Sequence, residues 1–463
     1  MKKTLILTVA TVLACAMSSM AAQYNLYITG ATAFRQSVHN AALDLFDTPP
    51  ATNVVQSSGT LQYGTKTYGG DATLTSGNTQ WYMRGTASNA VPNLGTNELV
   101  IHALFNGSVQ GIKNVVAKDK LYFMKGDGTI VTNTPTIAFT DVPSSSTPYP
   151  TSATADFDED KVAVQPFVWT RAMAGNSLMT NVNNISYEQA KYLITAGRAK
   201  VSAWTMSPNT NLVYLIGRTK DSGTRRLMLA CSGYTYNTGL IMYNYDATNH
   251  FYYPALDNGI AAAVGSASAN NGLVGSAGVD GVNLAWGPGY IGGGDCRTAV
   301  NIANANNFSI AYMSFADAKT AGITGSNWSA VIPFNGFYPT IGTNGSFFKA
   351  DGTPWIWGAS GTNNFSPITS GLYSGWAYEV MVYPITDPSA ISADQDLTTA
   401  ILGDANTQDT ILGIFNKKYT AVQTPGKGSI EKQIESTKVA GATAIRIADM
   451  KTSRAAVGAV ITP

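Results

Sequence analysis

Short apolar strands alternate with helical segments along most of the chain, and this alternation limits the fold more than any other feature. Residues 24–28 have the composition of a strand, Gly30 turns the chain, and apolar residues then recur at helical spacing from Phe34 to Phe46. Later strands are predicted at 98–105, 136–139, 162–169, 212–216 and 308–313. The alternation predicts an α/β fold with mostly parallel sheets and flanking helices.

Other local signals separate ordered from irregular segments. Ser186 and Gln189 have the spacing of a capping box, and Gly197 follows at the end of the helix that they predict. The stretches 232–308 and 322–370 are rich in Gly, Asn and Ser, which predicts loops, hairpins and insertions. The acidic run at 158–160 is predicted to be a solvated loop.

The charge balance excludes some classes of partner. Lys and Arg number 29 against 28 Asp and Glu, and charged residues are only 12% of the chain. A nucleic-acid-binding protein needs a basic surface, and a membrane-surface protein needs a polybasic segment. The sequence therefore predicts neither a nucleic-acid partner nor attachment to a membrane surface through charge.

The first 22 residues are predicted to be a secretory signal peptide. Lys2 and Lys3 precede an apolar run at 4–14, and small residues at 19–21 supply a cleavage site. An alternative interpretation makes Cys15 the lipidated residue of a lipoprotein. No later stretch is long and apolar enough for a membrane helix, so we expect a periplasmic, extracellular or cell-surface protein without a transmembrane span after signal removal.

The few histidines and cysteines indicate no metal site and no cofactor. The chain has three of each, and the histidines show no zinc-ligand spacing. If Cys15 leaves with the signal peptide, Cys231 and Cys296 remain. In an exported protein they form either a disulfide or two separate buried thiols.

A polar loop at 217–225 is the strongest candidate site. It follows a predicted strand and opens a helix, whose first backbone N–H groups attract anions. Ser222 and Thr224 add hydroxyl donors, Gly223 allows close backbone approach, and Arg218 offers a bidentate grip on an oxyanion. The alternative is an ordinary capped helix with a surface arginine.

Three further loops have related features. Thr32 lies in a strand-to-helix turn that begins at Gly30, and Ser108 lies in a second turn between Gly107 and Gly111. Asp141 follows a strand, at the position where α/β proteins place ligand contacts. The alternative for Asp141 is a turn-forming residue before Pro143.

These four loops resemble, in order, the site of the phosphate-binding proteins of ABC transporters. That family has the two-lobed type II periplasmic-binding-protein fold, with a hinge between the lobes. Its motifs are a Gly/Ala turn with a hydroxyl residue and Phe, a G-S-x-x-G loop, an aspartate that ends a strand, and an R-x-D-G-S-G-T loop. The resemblance assigns nine ligand-binding residues: Thr32, Ala33, Phe34, Ser108, Asp141, Arg218, Ser222, Gly223 and Thr224.

The resemblance also implies a domain organisation and a function. Lobe 1 would comprise residues 23–161 and 366–463, and lobe 2 residues 162–365. The chain would capture an inorganic oxyanion, most readily phosphate, and deliver it to an ABC permease. It would not be an enzyme, and no G-x-S-x-G nucleophile motif is present.

Three departures from the family pattern leave alternatives open. Ala33 replaces a hydroxyl residue, Lys220 replaces the aspartate of the last motif with Asp221 one place late, and the stretches 50–95 and 232–370 are long. One alternative is a structural or surface protein that keeps the fold without transport. Another is a secreted carbohydrate-binding protein, suggested by aromatic residues such as Tyr373 and Trp376.

Overall fold

The computed structural model describes much of the chain from residue 22 onward. The described residues are 22–46, 50–57, 78–87, 91, 94–95, 97–172, 175–219, 222–234, 240–246, 251–255, 274–277, 283–286, 289–290, 292–319, 330–341, 364–391, 397–403, 410–416, 444–445 and 447–454. Residues 1–21 of the predicted signal peptide, including Cys15, therefore lie outside the described residues, and so do Lys220 and Asp221.

Strands and helices alternate as predicted. The strands are β1 Gln23–Gly30, β2 Thr52–Ser57, β3 Asn78–Thr86, β4 Glu98–Leu104, β5 Leu121–Met124, β6 Ile130–Asn133, β7 Ile137–Thr140, β8 Phe157–Arg171, β9 Arg198–Lys200, β10 Leu212–Ile216, β11 Met242–Asp246, β12 Phe251–Ala255, β13 Val274–Ala277, β14 Asn283–Trp286, β15 Ser309–Ser314, β16 Val331–Ile332 and β17 Trp376–Pro384. The α-helices are α1 Arg35–Leu43, α2 Ser108–Val116, α3 Tyr187–Ala196, α4 Ser202–Thr205, α5 Gly223–Cys231, α6 Gly293–Asn301, α7 Phe315–Lys319, α8 Ser366–Thr369, α9 Pro388–Ile391, α10 Thr399–Leu402 and α11 Ile411–Phe415.

One continuous sheet links two halves of the molecule. Its order is β12-β11-β10-β15-β8-β17-β7-β1-β4-β3-β2. Parallel pairs form the middle of each half, β4-β1-β7 on one side and β11-β10-β15 on the other. We call the half with β1, β4 and β7 the first lobe and the half with β10, β11 and β15 the second lobe. The α/β class is confirmed.

Two long antiparallel strands connect the lobes. β8 pairs with β17 from Phe157 to Pro166, and its last residues pair with β15 in the second lobe. The lobe boundary that we predicted after residue 161 falls inside β8. The acidic run at 158–160 is part of this strand, so the predicted loop is wrong. Partners satisfy its carboxylates: Tyr383 donates to Asp160 at 3.0 Å, and the Ser144 backbone donates to Glu159 at 2.8 Å.

Each lobe has its own apolar core. In the first lobe, Val38 of α1 and Phe46 just after that helix pack in one cluster with Trp81 of β3 and Phe139 of β7. In the second lobe, Trp169, Tyr312 and the apolar residues of α3 and α5 form a larger cluster. Burial of such side chains contributes roughly 1.5–3 kcal/mol each, so each lobe supports rigid loops at its strand ends.

The predicted capping box is confirmed. Ser186 Oγ accepts from the Gln189 backbone at 3.1 Å, while Gln189 Oε1 accepts from the Ser186 backbone at 2.8 Å. Gly197 ends α3 with φ 70°, a left-handed conformation that favours glycine. The long stretches also contain regular structure: β2 and β3 extend the first lobe, and α6 lies inside a segment predicted as irregular.

Candidate ligand-binding site

Three loops of the first lobe meet at the carboxyl ends of β1, β4 and β7. Gly30 has φ +130°, and a Cβ there would lie 1.8 Å from the carbonyl oxygen of Phe139. Only glycine allows this approach. The Gly107 backbone N–H donates to the Gly30 carbonyl at 2.9 Å, and the Ala31 N–H donates to the Phe139 carbonyl at 2.6 Å. These bonds hold the turns after β1, β4 and β7 together.

Ser108 begins α2 and lies directly beside Asp141. The preceding Gly107 has φ 117° and provides no side chain to cap the helix. Ser108 Oγ accepts a hydrogen bond from the Asp141 backbone N–H at 3.2 Å, and both residues are buried. A serine hydroxyl and a carboxylate thus lie together at an uncapped helix start, where N–H groups favour an anion.

The start of α5 brings the second lobe to the same place. Ser222 caps this helix by accepting from the Arg225 backbone N–H at 3.3 Å. A Cβ on Gly223 would lie only 2.4 Å from Ser108 Oγ and 2.9 Å from the Asp141 Cβ. Thr224 Oγ1 donates to Asp141 Oδ2 at 3.5 Å. The structure therefore brings predicted site residues from both lobes into contact.

Arg218 is a buried residue of this site, with only 2% of its surface exposed. Its Nε donates to the Tyr290 carbonyl at 3.2 Å, and its backbone N–H donates to the Tyr312 hydroxyl at 3.3 Å. Its positive charge lowers the pKa of Asp141, although burial has the larger effect. Arg218 is therefore not the surface arginine of the alternative interpretation, although Ser222 does cap α5 as that interpretation supposed.

Asp141 is the electrostatic centre of the site. Burial raises the pKa of its carboxyl, while hydrogen bonds from Glu379 and Ser108 and the charge of Arg218 oppose that effect. Its Oδ1 is buried and has no hydrogen-bond partner among the described residues. An unpaired buried carboxylate oxygen is unfavourable, so this atom requires a donor.

The first site motif, at residues 32–34, contributes mainly its backbone to the site. Thr32, Ala33 and Phe34 are all buried, and the Phe34 ring packs 6.3 Å from the Phe139 ring. Thr32 uses its carbonyl to accept from Arg35. The turn is joined to the Asp141 loop through Gly30 and Phe139, whereas Ser108, Asp141, Gly223 and Thr224 contact one another directly.

Sequence reasoning missed three charged residues at the lobe junction. Arg35 Nη1 in α1 lies 4.0 Å from Asp317 Oδ1 in α7, and both side chains are almost fully buried. Burial lowers the pKa of Arg35, and Asp317 counteracts this. Glu379 in β17 is completely buried, and burial together with the nearby Asp141 raises the pKa of its carboxyl well above the ordinary value. The sequence does contain a signal for two of these residues. Glu379 is a charged residue inside an apolar strand, and Arg35 directly follows the first site motif.

Cys231 and Cys296 are free thiols, which corrects the disulfide alternative. Cys296 Sγ points to the Gly217 carbonyl before α5, whereas Cys231 lies at the far end of α5 against the Ser374 carbonyl. Nine helical residues span about 13 Å, well beyond the reach of a disulfide. Burial raises the pKa of Cys296 to about 12, so this thiol stays protonated.

Neither a metal-binding cluster nor a membrane-spanning helix is found in the described residues. They contain no group of three or more His, Cys, Asp or Glu side chains placed to hold a metal ion. None of their helices combines the length and the apolar character needed to cross a membrane.

No protein-family model and no curated protein matches the chain. Among solved structures, it is similar to an ABC-type phosphate transport receptor from Vibrio cholerae, with 11% identity, a TM-score of 0.33 and coverage of 77% of this chain and 86% of that one. It is also similar to a phosphate-binding protein from Stenotrophomonas maltophilia, with 14% identity, a TM-score of 0.37 and coverage of 73% and 83%. A third is a high-affinity periplasmic phosphate-binding protein bound with phosphate, with 14% identity, a TM-score of 0.36 and coverage of 89% of both chains. The chain is thus similar to phosphate-binding proteins in its sequence motifs and in its structure. A likeness with these TM-scores and identities identifies neither its ligand nor its activity.

Proposed function

We propose that this chain is an exported solute-binding protein that captures inorganic phosphate between two lobes for uptake by an ABC transporter. One observation carries the proposal: Ser108 and Asp141 of the first lobe contact Gly223 and Thr224 of the second, with Arg218 buried beside them. In this proposal lobe 1 comprises residues 23–161 and 366–463, and lobe 2 residues 162–365.

The donors at the lobe junction suit an oxyanion. A buried anion is costly unless its oxygens receive hydrogen bonds. Ser108, Ser222 and Thr224 offer hydroxyls, Arg218 offers a cationic guanidinium, and α2 and α5 direct backbone N–H groups toward the same region. This set provides hydrogen bonds from both lobes.

Asp141 would determine which oxyanion is accepted. A carboxylate accepts a hydrogen and repels an oxyanion that has none to donate. Monohydrogen phosphate carries a hydrogen at neutral pH, and sulfate does not. A sulfate ion would leave the buried Oδ1 of Asp141 without a donor, which corresponds to discrimination on the order of 10³-fold.

The strand arrangement supports binding by lobe closure. β8 and β17 connect the lobes, and such connecting segments serve as hinges in two-lobed proteins. Opening about them would separate Thr224 from Asp141 and Gly223 from Ser108. Closure would then surround the ligand with donors from both sides.

Export and delivery to a permease are parts of the same proposal. The N-terminal pattern of Lys2, Lys3 and the apolar run at 4–14 supports export. The named neighbours are phosphate-binding proteins rather than enzymes, which agrees with a binding function.

The carbohydrate-binding alternative loses support in the structure. Tyr373 and Trp376 are completely buried, so they cannot form part of an exposed sugar-binding surface. Two other tryptophans that could face a sugar, Trp355 and Trp357, lie outside the described residues. A repurposed protein that keeps the fold without binding or transport remains the competing hypothesis.

Titration calorimetry of the mature chain tests the proposal. The protein is partly unfolded and refolded to remove any bound ligand, and phosphate is then titrated with sulfate as the matched control. We expect tight phosphate binding and at least about 10³-fold weaker sulfate binding. Absence of binding of either anion would overturn the proposal and favour the repurposed protein.

A further inference from the structure

Asp141 and Glu379 form a buried carboxyl pair that the site motifs do not contain. In the antiparallel pairing of β7 with β17, Val380 lies opposite Thr140. The residue after Thr140 is Asp141 and the residue before Val380 is Glu379, so these two buried side chains lie opposite each other. The interaction between the two carboxyls raises the pKa of Glu379.

Two buried carboxyls in contact cannot both be ionised at neutral pH. Glu379 is completely buried, and neither of its side-chain oxygens has a hydrogen-bond partner among the described residues, which an ionised carboxylate would require. Asp141 is stabilised as an anion by Arg218 and by the hydroxyls of Ser108 and Thr224. Glu379 is therefore the carboxyl that stays protonated, and its hydroxyl is placed to donate to Asp141.

The other groups around the pair agree with this assignment. Arg218 lowers the pKa of Asp141, and Asp317 of α7 raises it. On β8 the residue opposite Glu379 is Ala163, which cannot compensate a charge. Burial and the negative charge of Asp141 both raise the pKa of Glu379 well above its ordinary value. The pair therefore has one negative charge, on Asp141 at the lobe junction.

We infer that Glu379 is a specificity-determining residue, a neutral hydrogen-bond donor that keeps Asp141 ionised and reserves its Oδ1 for an oxyanion that still carries a hydrogen. The inference rests on the proposed function and deepens it. Glu379 acts through Asp141 and is a positioning residue. Without its donor, Asp141 would take up a proton more readily and would itself donate, which removes the reason to reject sulfate.

Two substitutions separate this function from a packing function. Glu379→Leu keeps the approximate volume and removes the donor, whereas Glu379→Gln keeps a neutral donor. In Glu379→Leu we expect the ratio of phosphate to sulfate affinity to fall about tenfold or more. In Glu379→Gln we expect a ratio within about twofold of the wild type, because the amide donates as the protonated carboxyl does.

The pH profile is the second measurement. Discrimination between phosphate and sulfate is present above the pKa of Asp141 and is lost as the pH falls through that pKa. In Glu379→Leu this loss should shift upward by about one pH unit or more, because a hydrogen bond that lowers the pKa of Asp141 is absent. In Glu379→Gln the position of the loss should match the wild type. Thermal unfolding of each variant verifies folding, and Glu379→Met replaces the leucine variant if that one does not fold.

The possible outcomes distinguish a failure of the inference about Glu379 from a failure of the proposed function. A wild type that binds phosphate, with an unchanged ratio and pH profile in the apolar variant, overturns the inference and leaves the proposed function intact. Loss of phosphate affinity by tenfold or more in a folded Glu379→Gln protein also overturns it, since a neutral donor would then be insufficient. A wild type that binds no phosphate overturns the proposed function itself.

Discussion

The guanidinium of Arg35 and the carboxylate of Asp317 form an ion pair between the two lobes, with 4.0 Å between Nη1 and Oδ1. Arg35 begins α1 in the first lobe and also donates to the Thr32 carbonyl. Asp317 accepts from Ser314 Oγ at 2.7 Å in the second lobe. Since both side chains are buried, each charge depends on the other for its stability.

Removal of either partner should therefore destabilise the protein. Arg35→Ala leaves Asp317 as an uncompensated buried charge, which costs about 3 kcal/mol or more of unfolding free energy. Urea unfolding measures this loss. The double variant Arg35→Met with Asp317→Asn should lose clearly less than the sum of the two single changes. Additive losses would show that the two groups do not interact.

Gly223→Ala tests whether the observed contact between the lobes matters for binding. The new Cβ would lie 2.4 Å from Ser108 Oγ, so α5 would have to move away from the first lobe. We expect phosphate affinity to fall tenfold or more, while helix propensity improves. Gly294→Ala is the matched control, because its Cβ would approach only the Arg297 side chain, at 3.8 Å. Equal affinities of the two variants would contradict closure at Gly223.

Arg218→Ala should lower phosphate affinity through loss of a buried cationic donor. Hydrogen bonds to charged groups contribute roughly 1.5–3 kcal/mol, which corresponds to a loss of about 10- to 150-fold. Ser222→Ala should also weaken binding and, as an N-cap loss, cost about 1 kcal/mol of stability. Arg84→Ala removes an exposed arginine of β3 and is the calorimetric control. If Arg218→Ala and Ser222→Ala bind normally, the site lies elsewhere.

His102 should make the first lobe sensitive to acid. Burial lowers the pKa of His102 to about 4, and its Nδ1–H donates to the Met124 carbonyl at 3.1 Å. The unfolded chain titrates near the ordinary value of about 6.5, so it binds more protons than the folded chain between about pH 4 and 6.5. Stability should therefore decline as the pH falls through that window, by a few kcal/mol. His102→Gln should reduce this decline, as measured by urea unfolding at several pH values; an unchanged decline would assign the acid sensitivity to other groups.

Local signals in the sequence predicted much of the fold, whereas contacts between distant segments were missed. The capping box of Ser186 depends only on neighbouring residues and forms as predicted. The turn predicted at Gly30 also forms, although the contact that requires glycine there is with the distant Phe139. The charged run at 158–160 was misassigned because its partners on β17 are remote in sequence. Glu379 was missed for the same reason, since only the strand register brings it to Asp141.

In the candidate site too, residues with a local sequence signal were predicted and residues that depend on distant contacts were missed. Hydroxyl residues, glycines and an arginine at strand ends were enough to choose Ser108, Gly223 and Arg218, which the structure brings to the lobe junction. Arg35 was not chosen, because its environment depends on Asp317 of the other lobe. Packing between lobes gives such residues their importance, and that packing has no local sequence signal.

Asp141→Asn tests the selection of a hydrogen-bearing oxyanion most directly. The amide has nearly the same shape and retains a carbonyl acceptor, but its NH₂ group can donate to sulfate. We therefore expect the ratio of phosphate to sulfate affinity to fall by at least tenfold, chiefly through stronger sulfate binding. Competition calorimetry with both anions measures the ratio, and thermal unfolding of the variant verifies folding. Asp156→Asn, at a partly exposed carboxylate paired with Lys118, is the control for loss of one negative charge. Unchanged selectivity in Asp141→Asn would exclude Asp141 as the selecting group, because its charge and its acceptor oxygens are the only features that distinguish the two anions in the proposed mechanism.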